Sequence, residues 1–468
     1  MNCSSFFTQI QDDTTIVRNG GIILKGQSRS SRQPVHMILL VDTSGSMESN
    51  NKLSSVQKSI TLMLSLLSPD DRLSLVTFAD DSKIFLSCVS PTVEERQAIQ
   101  YRVNNLKADG STNMSAGLLQ IRSLLEPPSS GRKQGLLLLT DGHANLGVHT
   151  EVGLIHILNR IQSDNPGLSL TTVAYGVDHN TQMLTNLAKA GGGAYNVVTN
   201  LEDVATVFGD ILGGLMSVSA QKVEIQLPPG ATTQTSYRTE TDPSGMTTVY
   251  IGDLYADAEV TVLFQSAPSF GPVRVKGTDM TTLDLLDVLV TPTLIQTLQD
   301  IPVSLVMARY RQKVVDLLAS LRSNQSPATA REEAESLLKE IQDDDRIINH
   351  PLKPILMEDI QKSLEVLQRG HMTQNETVEM AQHSAYYGMS RGLRSMTTHA
   401  PPRNSRMPRQ RGVATLSPPP EDEVRPPSPP ASATPSITSP FANRLQTQIA
   451  TVMRYMSSEV RNEEPHQQ

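Results

Sequence analysis

The chain has 468 residues, 38% of them hydrophobic and 19% charged, with a formal net charge of −8. That length supports two or three structural units with a large core, and the acidic balance argues against a general nucleic-acid or membrane-surface binder. Two cysteines, Cys3 and Cys88, exclude a disulfide framework.

Met1 to Gln11 has neither a basic n-region nor a long apolar core, so no secretory leader is expected there. No segment approaches the roughly 20 apolar residues that span a bilayer. The expectation is an intracellular, soluble protein, cytoplasmic with a nuclear location open. Thr14–Lys25 reads as strand-like and is expected to pair with a β-rich module further along.

From His36 to Ser219 short apolar runs alternate with helical periods. The strand-like runs are Met37–Val41, Leu73–Phe78, Leu136–Leu139, Leu170–Tyr175 and Tyr195–Val198. Between them, Leu53, Val56, Ile60, Met63, Leu64 and Leu67 recur at helical spacing, as do Val93, Ile99, Val103 and Leu106. Met114–Leu125, Val152–Ile161, Met183–Ala190 and Val204–Met216 are further helices. This alternation predicts a doubly wound α/β unit, a mostly parallel sheet covered on both faces. Ile84–Val89, just after Asp80-Asp81, fits an antiparallel edge hairpin.

The run Met37–Val41 stops on Asp42-Thr43-Ser44-Gly45-Ser46. One carboxylate and two hydroxyls at alternate positions place hard oxygen atoms at the carboxyl edge of a sheet, where open α/β sheets keep their ligand sites. Oxygen donors of low formal charge suit an octahedral Mg²⁺ or Mn²⁺ that retains water, rather than zinc or copper. Two later segments, Asp109-Gly110-Ser111-Thr112-Asn113-Met114 and Leu136–Leu139 followed by Thr140-Asp141-Gly142, complete a pattern. Together Asp42, Ser44, Ser46, Thr112 and Asp141 resemble the metal-ion-dependent adhesion site of a von Willebrand factor A domain.

The resemblance covers residues 34–219, and its markers keep the family's order, down to Gly191-Gly192-Gly193 before the last strand. It departs at Gly110-Ser111-Thr112, where the family usually has Gly-Gly-Thr; the Thr112 hydroxyl is retained. The resemblance implies that the two serines bind the ion directly. Thr112 would bind directly or through water, and the aspartates largely through water. A coordination position facing solvent would then accept an acidic side chain of a partner protein. Asp109 and His143 are candidate rim residues, although Asp109 also reads as a turn residue and His143 as a solvent contact. No His-Glu-x-x-His or paired Cys-His spacing supports zinc. Gly191–Gly193 lacks the Lys-Ser/Thr of a phosphate loop.

Residues 220–300 change character, with alternating runs at Val223–Leu227 and Val260–Phe264 broken by Pro-Gly turns, and read as a β-sandwich-like module. Helical periodicity returns over 301–397, predicting a hairpin or small bundle. Its close, Gln382–Gly392, resembles the region that follows A domains in a set of intracellular A-domain proteins, including plant RING-type ubiquitin ligases. Residues 398–440 are rich in Pro, Ser and Arg and are expected to be disordered. Residues 441–462 space Phe441, Leu445, Ile449, Val452, Met456 and Val460 as one stripe of an amphipathic helix. That helix is expected to dock on a partner or on the chain's own helical region. Loss of everything after Thr397 is expected to leave stability nearly unchanged.

Three function classes compete. A divalent-metal-dependent protein-interaction module with an adaptor or scaffold role fits best. A metal-dependent hydrolase lacks a legible nucleophile-base pair or second metal cluster, so the chain reads as no enzyme. A RING ligase needs eight Cys/His zinc ligands, which this sequence does not have; a non-RING component or homologue of a ubiquitin-ligase system stays open.

Overall fold

The computed structural model describes residues 1–12, 15–29, 32–127, 130–266, 271–322, 327–389, 443 and 445–453. The linker expected over 398–440 lies outside the described residues.

The chain opens with β1 (Asn2–Asp12) and β2 (Thr15–Lys25), paired antiparallel. An α/β unit follows, in the order β3 (Val35–Asp42), α1 (Lys52–Leu66), β4 (Arg72–Phe78), β5 (Ser82–Val89), α2 (Val93–Asn104), α3 (Met114–Ile121) and β6 (Lys133–Thr140). It continues through α4 (Glu151–Asp164), β7 (Ser169–Tyr175), α5 (Thr181–Ala190), β8 (Gly192–Val198) and α6 (Leu201–Met216). The sheet order is β5-β4-β3-β6-β7-β8, parallel except for β5 on the edge. Every residue of β3 and β6 is buried, which is why both read as continuous apolar runs.

Alternation along β3 divides the core. Met37, Leu39 and Val41 face α1, α2 and α6, while Ile38 and Leu40 face α3, α4 and α5. Side-chain caps fix the helix starts: Thr150 accepts from the Gly153 N–H, and Asn180 from the Met183 N–H. Gly191 makes the turn from α5 into β8, and Gly192 and Gly193 open that strand. A Cβ at Gly193 would stand 2.1 Å from the Leu170 carbonyl oxygen, so the close approach of β7 requires glycine there.

Seven further strands build two sheets: β9 (Val218–Leu227), β10 (Arg238–Thr241), β11 (Thr247–Tyr255), β12 (Glu259–Ser266), β13 (Val273–Asp279), β14 (Leu285–Val290) and β15 (Thr293–Ile295). One sheet runs β12-β2-β1-β15 and the other β10-β11-β9-β13-β14. Ile22 and Leu24 of β2 share a core with Val223 and Ile225 of β9 and Val262 of β12, so the two sheets pack as a sandwich. The N-terminal strands thus complete a module that resumes only after the α/β unit, through the pairing of Thr261 with Ile23 and Val262 with Ile22.

Four helices follow, α7 (Val303–Ser320), α8 (Pro327–Asp343), α9 (Leu352–Arg369) and α10 (Gln374–Met389), around Val314, Ile341, Leu356 and Ile360. Val378 of α10 also enters the α/β core, and the Gln374 side chain donates to the Val177 carbonyl at 3.3 Å. The helical region therefore packs on the α/β unit beside β8.

The last described helix, α11 (445–453), corrects two expectations. It docks on α6, not on the helical region, and Leu445, Ile449 and Met453 belong to the folded body while Val452 is exposed. Met453 is fully buried, and Leu445 and Ile449 pack on the same core as Phe208 and Leu212. The physical reason lies on α6, where Gly209 and Gly213 leave no side chain and let the backbone of Ala450 and Gln446 approach. The Gln446 side chain donates to Asp210 Oδ1 at 2.9 Å, and Asn443 donates to Ser217 Oγ at 2.7 Å. Leu445, Ile449 and Met453 of the stripe beyond the linker have their partner in α6.

Candidate metal site

The strand order places a topological switch point between β3 and β6. The chain leaves β3 toward β4 on one side and returns through β6 on the other. Asp42 is the last residue of β3, and Asp141 follows β6 directly. Register pairs Val41 with Leu139, so Thr140 comes level with Asp42 and donates its hydroxyl to Asp42 Oδ2 at 2.5 Å. The other oxygen, Oδ1, accepts the Ser44 N–H at 2.9 Å. Asp42 is fully buried. Burial lifts its carboxyl to about 6 against these hydrogen bonds, with the Asp141 charge adding to the rise.

Three loops meet around this pair through backbone hydrogen bonds. Gly45 donates to the Gly110 carbonyl at 3.0 Å, Asp109 to the Thr43 carbonyl at 2.9 Å, and Asn113 to the Ala79 carbonyl at 2.7 Å. Ser44 Oγ and Ser46 Oγ lie 3.2 Å apart; Ser44 is buried and Ser46 exposed. Thr112 is buried, its N–H donating to Asn145 Oδ1 at 2.8 Å while its carbonyl accepts from Asn145 and Leu146. Gly110 holds φ +80°, a left-handed turn in which a Cβ would stand 2.8 Å from an Asp80 carboxylate oxygen. Ser111 in place of the family's second glycine leaves this turn intact, its N–H donating to Asp80 Oδ1 at 2.8 Å.

Asp141 is fully buried, with Oδ2 accepting from Lys52 Nζ at 2.8 Å. Its other oxygen, Oδ1, is buried with no hydrogen-bond partner. A buried carboxylate oxygen left open costs free energy unless a cation or an ordered water meets it. Two carboxylates and three hydroxyls form an oxygen-only donor set, suited to Mg²⁺ or Mn²⁺. The residues present therefore fit a divalent ion.

The rim candidates have simpler places. Asp109 is exposed and caps its own turn, accepting from the Gly110 N–H at 2.8 Å. His143 is exposed, its Nε2 lying 3.1 Å from the Asp178 carbonyl oxygen. Sequence reasoning missed Lys52, Thr140, Asp80 and Asn145. Thr140, adjacent to Asp141 at a strand end in register with Asp42, carried a signal; Lys52 carried none.

An open α/β sheet with Asp42 at its switch point and three loops tied around it has the architecture of an A domain. Residues 37–143 match the von Willebrand factor type A domain family, and the α/β unit is a von Willebrand factor A domain. The chain is 28% identical over 254 residues to the protein YfbK of Escherichia coli, covering 52% of this chain and 44% of that one. It is 26% identical over 262 residues to the E3 ubiquitin-protein ligase WAV3 of Arabidopsis thaliana, covering 53% of this chain and 33% of that one. The chain thus spans less than half the length of either relative. Among solved structures, a von Willebrand factor type A protein from Catenulispora acidiphila superposes with a TM-score of 0.57 at 14% identity. That match covers 84% of this chain and 97% of the other, a likeness of fold that extends beyond the A domain.

Proposed function

We propose that the chain is a non-catalytic adaptor that binds a partner protein through a divalent ion held by Asp42, Ser44, Ser46, Thr112 and Asp141. The observation that carries this reading is Asp141 Oδ1, a buried carboxylate oxygen at the carboxyl end of the sheet with no hydrogen-bond partner. Mg²⁺ or Mn²⁺, when bound, supplies a Lewis-acidic position that an Asp or Glu carboxylate of a partner can fill. The chain's own residues prepare that position. Ser44 and Thr140 fix the Asp42 carboxylate by hydrogen bonds, and Lys52 fixes Asp141. Asp109 and His143 stand at the exposed rim, where a partner would approach. Among the described residues no helix is long and apolar enough to cross a membrane, and an intracellular location is part of the proposal.

Calorimetry with Mg²⁺ on the full chain tests the site. Asp42→Ala abolishes binding while circular dichroism stays native; equal affinity in both proteins refutes the ligand set. Affinity capture with Mg²⁺ and again with EDTA then tests the partner rule. Metal-dependent partners detach on chelation and when one of their carboxylates is changed to an amide.

A second reading, a non-RING component of a ubiquitin-ligase system, has the likeness to WAV3 in its favour. Co-purification of ubiquitin-conjugating or substrate proteins would separate it from the general adaptor.

A further inference from the structure

At the opposite end of β3 from Asp42, three side chains of different chemistry converge. His36 is the second residue of β3, Cys88 lies near the end of β5, and Glu126 stands in the loop before β6. One ligand atom from each, an imidazole nitrogen, the thiol sulfur and a carboxylate oxygen, all lie within 4.8 Å of one another. Six residues of strand at about 3.3 Å each put this cluster about 20 Å from Asp42.

The hydrogen bonding at the cluster is incomplete. His36 is fully buried, and its Nε2 lies 2.9 Å from Ser74 Oγ, which also accepts the Cys88 N–H at 2.9 Å. His36 Nδ1 has no hydrogen-bond partner. It faces Glu126 Oε2, another buried atom without a partner, at 3.5 Å. Burial drives the imidazole down to about 4, more strongly than the Glu126 charge raises it, so His36 is neutral near pH 7. The bond between Nε2 and Ser74 Oγ can run in either direction: with Nε2 as donor two lone pairs face each other across 3.5 Å, and with the proton on Nδ1 that span is too long for a good hydrogen bond. In neither tautomer is a hydrogen bond closed between His36 Nδ1 and Glu126 Oε2. Arg132 and the Cys88 thiol are both directed to the other oxygen, Oε1, at 3.4 and 3.3 Å.

We propose that His36 Nδ1, Cys88 Sγ and Glu126 Oε2 form a second metal site, selective for a borderline-soft ion of the Zn²⁺ class. The donor set of one nitrogen, one sulfur and one oxygen is what such ions prefer, and hard Mg²⁺ does not. Ligand atoms around a tetrahedral zinc stand about 3.3–3.8 Å apart, from bonds of about 2.0–2.3 Å, so the cluster needs to contract by about 1 Å. The contact of Ser74 on the far nitrogen of His36 is the outer-shell bond that orients a ligating imidazole. Gln134 and Asn165 donate to the Glu126 carbonyl, at 2.8 and 3.1 Å, and fix that loop. Binding takes the proton from the Cys88 thiol and releases it to solvent. Three protein ligands leave the fourth position to water, and the ion staples edge strand β5 and the loop before β6 to the central strand. Cys88 and Glu126 are partly exposed, so an ion can reach the site.

The test uses the full chain, reduced, stripped of metal and held in excess Mg²⁺. Titration with Co²⁺ is expected to give a thiolate-to-cobalt charge-transfer band that saturates at one equivalent and is displaced by Zn²⁺. Cys88→Ser removes the band, Glu126→Gln weakens Co²⁺ binding about tenfold or more, and Cys3→Ser changes neither. Asp42→Ala keeps the band, which separates this site from the proposed Mg²⁺ site. Absence of the band in the unaltered chain, its survival in Cys88→Ser, or unchanged affinity in Glu126→Gln overturns the assignment.

Discussion

Two glycines on α6 make opposite predictions in two versions of the protein. A Cβ built on Gly209 stands 2.5 Å from the Ala450 Cα, and one on Gly213 stands 2.4 Å from the Gln446 Cα. Both obstacles are backbone of α11, which cannot rotate aside. In the full chain Gly209→Ala with Gly213→Ala therefore expels α11 and re-exposes Met453, whose burial alone is worth about 2–3 kcal/mol. In a chain ending at residue 440 the nearest obstacles to both methyl groups, Ala450 and Gln446, are gone, and each Gly→Ala change within a helix stabilises by about 1 kcal/mol. The doubly substituted short chain is then about 2 kcal/mol more stable than its glycine parent. Hydrogen exchange reads the first effect, as protection of 445–453 falling about 30- to 100-fold at about 1.4 kcal/mol per decade; urea unfolding reads the second. Full protection of 445–453 in the substituted full chain would refute the claim that this glycine face is the docking surface.

Burial on α6 lifts the Asp210 carboxyl from 3.8 to about 7. The folded state therefore keeps a proton that the unfolded chain has lost, and stability falls as pH rises from about 4 through about 7. Asp42, raised to about 6, acts in the same direction, so the diagnostic is the difference on Asp210→Asn: urea midpoints at about pH 5 and about pH 8 should draw closer together. Lys133 and Asp253 form a buried pair at 2.9 Å, and Lys133→Met strands the carboxylate at a cost of about 3–5 kcal/mol, measured as a lowered unfolding midpoint. Lys133→Met combined with Asp253→Leu should recover most of that loss. Lys52→Met removes a positive charge beside Asp141 and should raise Mg²⁺ affinity in calorimetry; a lower affinity would mean that Lys52 serves chiefly to hold Asp141 in place.

What the sequence disclosed followed from how locally each signal is encoded. The parallel strands were legible because burial on both faces makes them continuous apolar runs, as in Leu136–Leu139. The antiparallel edge at β5 was legible from Asp80-Asp81 and the short run after it. The five site residues stood out because each sits at a strand end or loop with a fixed spacing. The docking of α11 was hidden. Its apolar stripe was plain, but the matching surface is a pair of glycines more than two hundred residues earlier, and an absence of side chains leaves no hydrophobic signal. The cluster of His36, Cys88 and Glu126 was equally invisible, because three residues with no sequence spacing in common meet only through the pairing of β3 with β4 and β6 and of β4 with β5.

Lys52 carries the consequence furthest from sequence. It opens α1 with a side chain turned inward, nearly buried, against Asp141. With both aspartates ionised the pair of carboxylates contributes two negative charges and Lys52 cancels one. A divalent ion placed among the hydroxyls would then leave the site with one unit of positive charge rather than neutral. At close range and in a partly desolvated loop, that residual charge attracts a carboxylate by several kcal/mol, at about 4 kcal/mol for unit charges 4 Å apart in an effective dielectric near 20. The chain as a whole carries −8, which disfavours acidic partners at long range; screening over about 8–10 Å confines that repulsion at physiological salt. On the proposed function, a partner carboxylate would therefore be selected at contact by the ion and the buried lysine together, with the surrounding surface acting only as a weak barrier to approach.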